Sequence, residues 1–322
     1  MARHLLTLDS LGRDGIRHTL DLAVRIKARG GDTRDALAGG RVGLLFDKPS
    51  TRTRVSFEAA IWGLGMLPIA LRSDELQIGR GETTADTARV LSRYLSAFVI
   101  RTFEQARVEE LARYATIPII NALTDEHHPC QALADVMALQ EEFGSFKGLR
   151  VAFVGDGNNV YHSLALLGAT LGIEVRLAHP AGYAPNPRIV ERAQALAVEH
   201  GGRIVFARDP AEVVAGASVV YTDAWTSMGQ EAETEERRDA FGAYQVNAAL
   251  LAVAGPDAIV MHCLPAHRGE EITSDVMDGP QSVIFEQSEN RLHVQKALLV
   301  ELIGAADAGD RAHQDEPSAS QP

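Results

Sequence analysis

The chain has 322 residues, of which 46% are apolar and 23% charged, and its formal net charge is −12. That length accommodates two domains with separate hydrophobic cores, while the negative charge disfavours binding to nucleic acid or anionic membranes because no basic face would dominate the field. Two cysteines, no apolar run of about 20 residues and no apolar signal-peptide core near the start favour a cytoplasmic protein without membrane spans or a disulfide framework.

Strand-like and helix-like segments alternate through the first half of the chain, which is typical of an α/β fold with parallel sheets. Apolar runs rich in Val, Ile and Leu predict buried strands at 41–46, 67–72, 97–102 and 117–123. The stretches between them predict helices at 51–63, 84–95 and 104–114. This half therefore predicts one parallel sheet with crossover helices.

The second half continues the alternation without a tandem repeat. Strands are predicted at 149–155, 174–179, 203–207, 219–223, 258–263 and 282–287. Helices are predicted at 163–171, 188–200 and 291–303, with Asn186 and Pro187 as N-cap and first-turn proline of the second. We therefore predict two doubly wound parallel-sheet domains joined by inter-domain helices.

A domain boundary is predicted near the sequence EEFGSFKGLR, where a long helix ends in glycine and a new strand begins. We assign residues 1–142, completed by a C-terminal helix at about 289–305, to the first domain, and residues 143–288 to the second. Residues 306–322 are small, polar and proline-containing, which predicts a disordered tail.

The sequence DKPSTRTRVSFEAA, at 47–60, places hydroxyl and guanidinium groups where a strand gives way to a helix. The first turn of a helix has unpaired N–H groups and partial positive charge, so it suits an anion. The hydroxyls of Ser50, Thr51 and Thr53 can donate to phosphate oxygens, and Arg52 can add a bidentate fork. Ser50 alone is explained equally well as an N-cap, but arginines in this turn oppose the helix dipole unless an anion is bound.

Four blocks in this order resemble the aspartate and ornithine carbamoyltransferase family, and the similarity covers about residues 2–304. They are STRTR (50–54), HPCQALAD (128–135), DAWTSMGQE (223–231) and HCLPAHRGEEI (262–272). The SMG and HCLP sequences are similar to the ornithine branch. The resemblance implies transfer of a carbamoyl group from carbamoyl phosphate to the δ-amine of L-ornithine, giving L-citrulline and phosphate, in arginine biosynthesis or in the reverse step. It assigns the first domain to carbamoyl phosphate and the second to ornithine.

For the donor, the resemblance implies residues that hold the phosphate and polarise the carbonyl. Arg101, His128 and Thr53 would donate to the carbonyl oxygen, where losing one donor typically costs about 3 to 4 kcal/mol of transition-state stabilisation. Gln131 would bind the carbamoyl NH2. Taken singly, His128 and Arg291 are explained as well by a backbone-bonded histidine and an exposed helical arginine. The implied carbamoyl phosphate-binding residues are Ser50, Thr51, Arg52, Thr53, Gln77, Arg101, His128, Gln131 and Arg291.

For the acceptor, the resemblance implies a clamp on the amino-acid end and a site for a neutral amine. Asn159 would contact the carboxylate and Asp223 the α-ammonium. Cys263, with Asp223, resembles the pair that orients or deprotonates the δ-amine, so its role as base or as substrate contact stays open. Leu264 precedes Pro265, where the family has a cis peptide. The implied ornithine-binding residues are Asn159, Asp223, Ser227, Met228, Cys263 and Leu264, and the implied catalytic residues are Arg101, His128, Asp223 and Cys263.

Two polar stretches are predicted to act as loops. Residues 230–241, QEAETEERRDAF, are almost devoid of apolar side chains, so we expect a lid that closes on ornithine and does not pack on a core. The loop at 76–90 reaches the neighbouring active site in related enzymes, which are trimers, and Gln77 matches the reaching glutamine. Many relatives carry a lysine where this chain has Gly81, and Arg80 is the alternative phosphate contact. A homotrimer or a multiple of trimers is therefore expected.

Three alternatives are kept. The sequence VAFVGDGNNV, at 151–160, is part of a dinucleotide-binding motif, but Val160 takes the third glycine position and the next strand ends in His179 instead of an acid. A catalytically silent scaffold on the same fold would form no citrulline. A different amine acceptor, putrescine or N-acetylornithine, would leave part of the clamp without a partner. No metal cluster and no organic cofactor is indicated.

Overall fold

The computed structural model describes residues 2–31, 33, 36–72, 81–226 and 231–314. The chain divides into two compact units, whose described residues lie within Met1–Leu6, Arg17–Thr124 and Leu292–Pro322 for the first and within Thr7–Ile16 and Asp125–Arg291 for the second. Each unit contains one parallel sheet with helices between its strands, so the predicted α/β class is confirmed. None of the described helices combines the length and apolar character needed to cross a membrane.

The first unit is built on four parallel strands. They are β1 (Arg41–Phe46), β2 (Leu67–Arg72), β3 (Ala97–Arg101) and β4 (Ile119–Leu123). The helices of this part of the chain are α1 (Gly12–Ala28), α2 (Thr51–Gly63), α3 (Thr84–Leu91) and α4 (Gln105–Tyr114). The sheet order is β2–β1–β3–β4, so β1 and β3 are central, and their apolar side chains are buried.

The carboxyl ends of β1 and β3 lie side by side, because Phe46 pairs with Arg101 in the parallel register. The turn after β1 is held there by Asp47, whose backbone N–H donates to the Arg101 carbonyl at 2.9 Å. The Asp47 carboxylate accepts from the Thr102 hydroxyl and from the Arg107 guanidinium, each at 2.5 Å. The chain therefore enters α2 at the same edge of the sheet at which Arg101 ends β3.

The second unit is built on five parallel strands. They are β5 (Arg150–Val154), β6 (Glu174–Ala178), β7 (Arg203–Ala207), β8 (Val219–Thr222) and β9 (Ile259–His262), in the sheet order β7–β6–β5–β8–β9. The helices are α5 (Pro129–Phe143), α6 (Asn159–Leu171), α7 (Pro187–His200), α8 (Pro210–Val214), α9 (Thr234–Phe241), α10 (Ala248–Ala254), α11 (Ser274–Met277) and α12 (Ile284–Gln314), the last of which contributes to this unit through Arg291. Short 3-10 helices lie at Asp9–Leu11, Glu231–Glu233 and Gly242–Tyr244.

By its internal contacts, α5 groups with the second unit, whereas the predicted domain boundary at 142/143 lies near its end. The boundary stays a prediction.

Two helix starts that a capping residue marks were predicted to within one residue. The helix α2 spans the predicted residues 51–63, and the Ser50 hydroxyl accepts from the Thr53 N–H at 3.3 Å. The Asn186 side chain accepts from the Arg188 N–H at 3.0 Å, with Pro187 in the first turn of α7. These caps satisfy N–H groups that have no partner within the helix.

The turn between β5 and α6 depends on Gly157. A β-carbon at this position would lie 2.7 Å from the Pro185 Cα, which is closer than side chains pack. The Gly157 N–H donates to the Tyr183 carbonyl at 3.0 Å, so the turn lies directly against residues 183–185. The second glycine of the partial dinucleotide motif is therefore required by packing within the chain.

The predicted final strand at 282–287 is wrong. The helix α12 begins at Ile284, and Ser282 makes only an isolated bridge with Val260. Phe285 is 57% exposed while Ile284 and Gln287 are fully buried, so burial follows a helical and not an alternating pattern. The apolar run is too short for its sequence to distinguish a strand from a helix.

Three further helix boundaries differ from prediction by more than one residue. The helix α3 ends at Leu91, four residues before the predicted end at 95. The helix α6 begins at Asn159, four residues before the predicted start, because the Asn158 side chain caps it. The helix α12 continues to Gln314, so residues 306–314, which were predicted to be disordered, are helical.

The charged segment after residue 230 packs on the core at its far end, contrary to prediction. Phe241 is fully buried, with its ring centroid 4.6 Å from that of Tyr183 and 6.1 Å from that of Trp225. Arg237 is buried as well, donating to the Asp156 carboxylate at 2.8 Å and to the Trp225 carbonyl at 2.9 Å. The buried Phe241 and the ion-paired Arg237 therefore attach this segment to the core, although its sequence is almost devoid of apolar side chains.

Candidate active site

In the first unit, the start of α2 presents hydroxyl groups and the guanidinium of Arg52. No acidic residue lies in the first turn of α2. Arg54 is ion-paired with Glu58 at 2.9 Å, whereas Arg52 makes no hydrogen bond or ion pair within the described residues. A guanidinium beside the positive end of a helix dipole, without a carboxylate partner, is a favourable site for an anion.

Arg101 is the second cation that the sheet brings to this edge. It is buried at the end of β3, one residue after Ile100 in the sheet core. Because Phe46 pairs with Arg101, the turn of residues 47–50 and the Arg101 backbone leave the sheet at neighbouring positions. The predicted residues Ser50, Thr51, Arg52, Thr53 and Arg101 therefore belong to one edge of one unit.

In the second unit, three predicted donor-binding residues surround the start of α5. His128 is the N-cap residue, and its backbone N–H donates to the Ser163 hydroxyl at 2.7 Å. Gln131 lies in the first turn and accepts at its Oε1 from the Arg291 guanidinium at 2.8 Å. Arg291 is buried in α12, eight residues into the helix, and is neither at its start nor exposed.

The turn before α5 is held by His162 of α6. The Asn186 N–H donates to His162 Nε2 at 2.9 Å, so the proton lies on Nδ1, which is 2.9 Å from the Glu126 carbonyl. Burial lowers the pKa of His162 to about 4, which keeps the ring neutral. The position of His128 thus depends on two adjacent residues of α6, His162 and Ser163.

Asp223, Cys263 and Asn158 form a hydrogen-bonded cluster at the carboxyl ends of β8, β9 and β5. Thr222 pairs with His262, so the residues that follow, Asp223 and Cys263, leave the sheet side by side. The Cys263 thiol donates to Asp223 Oδ1 at 2.8 Å, and the Asn158 amide donates to Asp223 Oδ2 at 2.8 Å.

The cluster keeps Cys263 as a thiol. Burial, and then the negative charge of Asp223, raise the pKa of Cys263 well above its ordinary value. A thiol that donates to a carboxylate is neither a thiolate nucleophile nor a strong base at neutral pH. In this pair Asp223 is the acceptor and Cys263 the donor.

The backbone after Cys263 is fixed by a buried histidine. The Leu264–Pro265 peptide is cis, as the resemblance implied, and Leu264 has φ 59°. The Leu264 N–H donates to His262 Nδ1 at 2.8 Å, so the proton of the ring lies on Nε2, which donates to Glu271 at 3.1 Å. The His262–Glu271 pair therefore sets the direction in which the Leu264 backbone leaves the sheet.

Two groups of residues have the geometry to hold a metal ion within the described chain. Their possible ligand atoms lie within 4.8 Å of one another, in Asp223 with His262 and Cys263, and in His267 with Glu270 and Glu271. In the first group the thiol, the carboxylate and both ring nitrogens already have hydrogen-bond partners. Their positions are explained without a metal.

Four predicted site residues lie outside the described residues. They are Gln77, Arg80, Ser227 and Met228. Asn159 begins α6 and is partly buried, immediately after the cap residue Asn158. Gly81, where many relatives carry lysine, has φ 104° and open space around its Cα.

Several residues of the site were not predicted from the sequence. Asn158 contacts Asp223 and His262 contacts Leu264, while Glu271 contacts His262. Asp135 accepts from the Gln131 amide at 2.8 Å, and a carboxylate four residues after a glutamine in the otherwise apolar stretch 129–139 was a usable signal.

Family models of two domains match nearly the whole chain. Residues 3–141 match the model described as "Aspartate/ornithine carbamoyltransferase, carbamoyl-P binding domain". Residues 147–302 match "Aspartate/ornithine carbamoyltransferase, Asp/Orn binding domain".

Individual relatives are similar over the same extent. The ornithine carbamoyltransferase of Acidothermus cellulolyticus is 53% identical over 306 residues, covering 95% of this chain and 98% of the relative. That of Symbiobacterium thermophilum is 52% identical over 299 residues, covering 92% and 96%. Among solved structures, ornithine carbamoyltransferase from Pyrococcus furiosus superposes with a TM-score of 0.91 at 50% identity, covering 94% of this chain and 97% of that one.

The Cys263 pair predicts a specific pattern of thiol reactivity. At pH 8.5, iodoacetamide is expected to alkylate Cys263 only slowly in the native protein. Burial still raises the pKa of Cys263 in Asp223→Asn, but the neighbouring negative charge that raises it further is removed, so this alkylation should become measurably faster. Peptide mass spectrometry of timed samples measures the rate.

Cys130 is the internal control for this experiment. Burial raises its pKa to about 12, so it should stay unmodified in both proteins as long as they remain folded. Alkylation of Cys263 in the unsubstituted protein as fast as a free cysteine would contradict the hydrogen-bonded thiol.

Proposed function

The chain belongs to the aspartate/ornithine carbamoyltransferase family, and we propose that it transfers the carbamoyl group of carbamoyl phosphate to the δ-amine of L-ornithine, giving L-citrulline and phosphate. In the cell this reaction is a step of arginine biosynthesis or, in reverse, of arginine degradation. The proposal is supported by the relatives named above, which carry the same activity in their names over almost the full length of the chain.

The observation that carries the proposal is the anion site at the start of α2. Ser50, Thr51 and Thr53 offer hydroxyls at the electropositive start of the helix, and Arg52 makes no hydrogen bond or ion pair within the described chain. A phosphate group would supply the missing negative charge and accept a bidentate fork from Arg52.

The carbonyl of the donor becomes an oxyanion as the amine adds to it. We assign Arg101, His128 and Thr53 as the donors to this oxygen, and Gln131 as the acceptor from the carbamoyl NH2. Collapse of the tetrahedral species breaks the bond between the carbonyl carbon and the bridging oxygen, and phosphate leaves to Arg52 and Arg291. The attacking nitrogen loses one proton, which the departing phosphate carries away as hydrogen phosphate.

The amine must be neutral in order to attack. An alkyl amine with pKa near 10.4 costs roughly 4 kcal/mol to deprotonate at pH 7.4, so acceptors that bind the neutral form matter. Asp223 is already the acceptor of the Cys263 thiol, which supports Asp223 as the group that receives the substrate's N–H and Cys263 as its positioning contact. We assign Asn159, Ser227 and Met228 to the amino-acid end, with the Leu264 carbonyl as a further acceptor.

Other acceptors fit this set of residues less well. Putrescine has no carboxylate for Asn159, and N-acetylornithine has no α-ammonium for Asp223. Aspartate would need cations around a second carboxylate, whereas Asp223 contributes a negative charge.

We also propose that the protein works as a trimer in the cytoplasm, where Gln77, with Arg80 as the alternative to the absent lysine, reaches the site of a neighbouring subunit. Support for self-association comes from apolar side chains on the outside of the first unit. Val55 and Trp62 are 58% and 69% exposed and lie seven residues apart on one face of α2. The free cysteines Cys130 and Cys263 suit a reducing compartment.

The function is tested by initial rates of carbamoyl phosphate consumption with a panel of amines. Citrulline formation from L-ornithine should exceed carbamoylation of putrescine, N-acetylornithine and L-aspartate by roughly 100-fold or more in kcat/KM. A preferred acceptor other than ornithine would contradict the assignment of the clamp. An enzyme inactive with all four at millimolar concentration would contradict the proposed reaction.

The anion site is tested by two arginines in the same helix turn. Arg52→Ala should lower kcat/KM for carbamoyl phosphate by about 10- to 100-fold, because a charge-assisted bond to phosphate is lost. Arg54→Ala is the matched control, since Arg54 is paired with Glu58 and should change kcat/KM by less than about threefold. Equal effects of the two substitutions, with both proteins folded by circular dichroism, would contradict the role of Arg52.

Self-association is tested by sedimentation velocity at micromolar concentration. The unsubstituted protein should sediment as three chains or a multiple of three, and Trp62→Glu should shift it to smaller species by burying a charge in the contact. Val198→Glu, at an 88% exposed position, is the control and should leave the distribution unchanged. A monomeric unsubstituted protein would contradict the trimer.

A further inference from the structure

Asp135 is a fully buried carboxylate at the centre of a hydrogen-bond network in the second unit. Its Oδ1 accepts from the Gln131 amide at 2.8 Å and from the Gln287 amide at 2.7 Å. Its Oδ2 accepts from the Tyr221 hydroxyl at 3.0 Å. Asp135 is buried completely, and none of these partners is a cation. A buried charge is costly, so a carboxylate retained here calls for a reason.

The donors and acceptors of this network follow one order, which begins at a backbone N–H group. The His262 N–H donates to Gln287 Oε1 at 3.0 Å, so the Gln287 amide nitrogen must face the other way. That nitrogen donates to Asp135 and, at 3.1 Å, to the Tyr221 oxygen. The Tyr221 proton is therefore left to point at Asp135. Every donor around the carboxylate is fixed by a neighbour.

The orientation of the Gln131 amide follows from the two groups that bind it. An ionised carboxylate only accepts, so the atom facing Asp135 is the amide nitrogen. A guanidinium only donates, so the atom facing Arg291 is the amide oxygen. Burial raises the pKa of Asp135 to about 6 although three hydrogen bonds oppose the shift, so the group is still mostly ionised at pH 7.5. Without Asp135, the amide nitrogen would have no acceptor on that side.

We propose that Asp135 is a positioning residue that holds the Gln131 amide with its oxygen toward the donor, and that it thereby selects an acyl phosphate bearing NH2 over an isostere bearing CH3. The inference rests on the proposed function, in which Gln131 accepts from the carbamoyl group. A site that presents an oriented acceptor rejects a ligand without the matching N–H, because the acceptor is then left unpaired. If the Gln131 amide were reversed, its NH2 would face the NH2 of the carbamoyl donor, and the preference for NH2 over CH3 would be lost.

This role differs from a purely structural one in what it predicts. Loss of packing around Asp135 would weaken the binding of every donor analogue to the same degree. Loss of orientation weakens only the analogue that carries the amide N–H. The ratio of two dissociation constants therefore separates the two roles.

Phosphonoacetamide and 2-oxopropylphosphonate are suitable probes, since they are stable and differ only in NH2 against CH3. Their dissociation constants are measured by calorimetry on the full-length protein. The unsubstituted protein should prefer phosphonoacetamide by about tenfold or more. Asp135→Asn should reduce this ratio by roughly five- to tenfold, because an amide offers one acceptor and a competing donor to partners that all donate.

Two further variants complete the experiment. Tyr221→Phe removes the donor to Asp135 Oδ2 and a second acceptor of the Gln287 amide, but it leaves both bonds to Oδ1 in place. It should reduce the ratio by about two- to fivefold, which decides the question if Asp135→Asn fails to fold. Glu141→Gln is the matched control. Glu141 lies on the same helix and accepts from Asn290, beside Arg291, but has no contact with Gln131, so the ratio should not change.

An unchanged ratio in a folded Asp135→Asn or Tyr221→Phe protein overturns the inference, as does equal affinity of the unsubstituted protein for both analogues. The citrulline assay distinguishes this from failure of the proposed function. An enzyme that forms citrulline and shows an unchanged ratio, or binds neither analogue, refutes the role of Asp135 alone. A protein that forms no citrulline and binds neither analogue refutes the proposed function and the inference with it.

Discussion

The parallel pairing of β8 with β9 is the interaction on which the acceptor half of the site depends. It sets Thr222 opposite His262, and because both strands run in the same direction, Asp223 and Cys263 leave the sheet together. The hydrogen bond between them follows directly from this pairing. Together with burial, it keeps the Cys263 thiol protonated. In an antiparallel pair the two residues would lie at opposite edges. The chemistry at this edge is therefore a direct product of strand direction.

The same constraint organises the first unit. Phe46 and Arg101 are register partners, so the turn that leads into α2 and the end of β3 meet at one edge. Positive charge collects there from two sources, the helix dipole and the guanidinium groups of Arg52 and Arg101. In both units the residues assigned to substrate lie at strand ends or in the turns and helix starts that follow them, except Arg291, which lies within α12.

The sequence predicted most reliably those features that depend on neighbours along the chain. The bounds of α2 and the cap of α7 follow from Ser50, Asn186 and Pro187, which act within one helical turn. It failed at residues 282–287, where three apolar residues fit a strand and a helix equally well and burial decided. The anion site at Ser50 and Arg52 followed from the strand-to-helix pattern itself, whereas the roles of Arg101, Cys263 and the remaining residues came from the resemblance. The partners Asp135, Tyr221 and Gln287 come from three distant segments, so only folding brings them together. The protonation of Cys263 likewise depends on burial that no local pattern encodes.

The missing side chain of Gly157 has an effect far from its own turn. Because Gly157 lies against Pro185, the next residue, Asn186, is held where its N–H reaches His162. His162 contacts the Glu126 carbonyl on its other side, two residues before His128. A methyl group at position 157 would displace Pro185 and, through it, Asn186 and His162, although residue 157 itself has no substrate-binding role. Substitutions at position 157 would thus change the kinetics as active-site substitutions do. A search restricted to residues that contact substrate would overlook them.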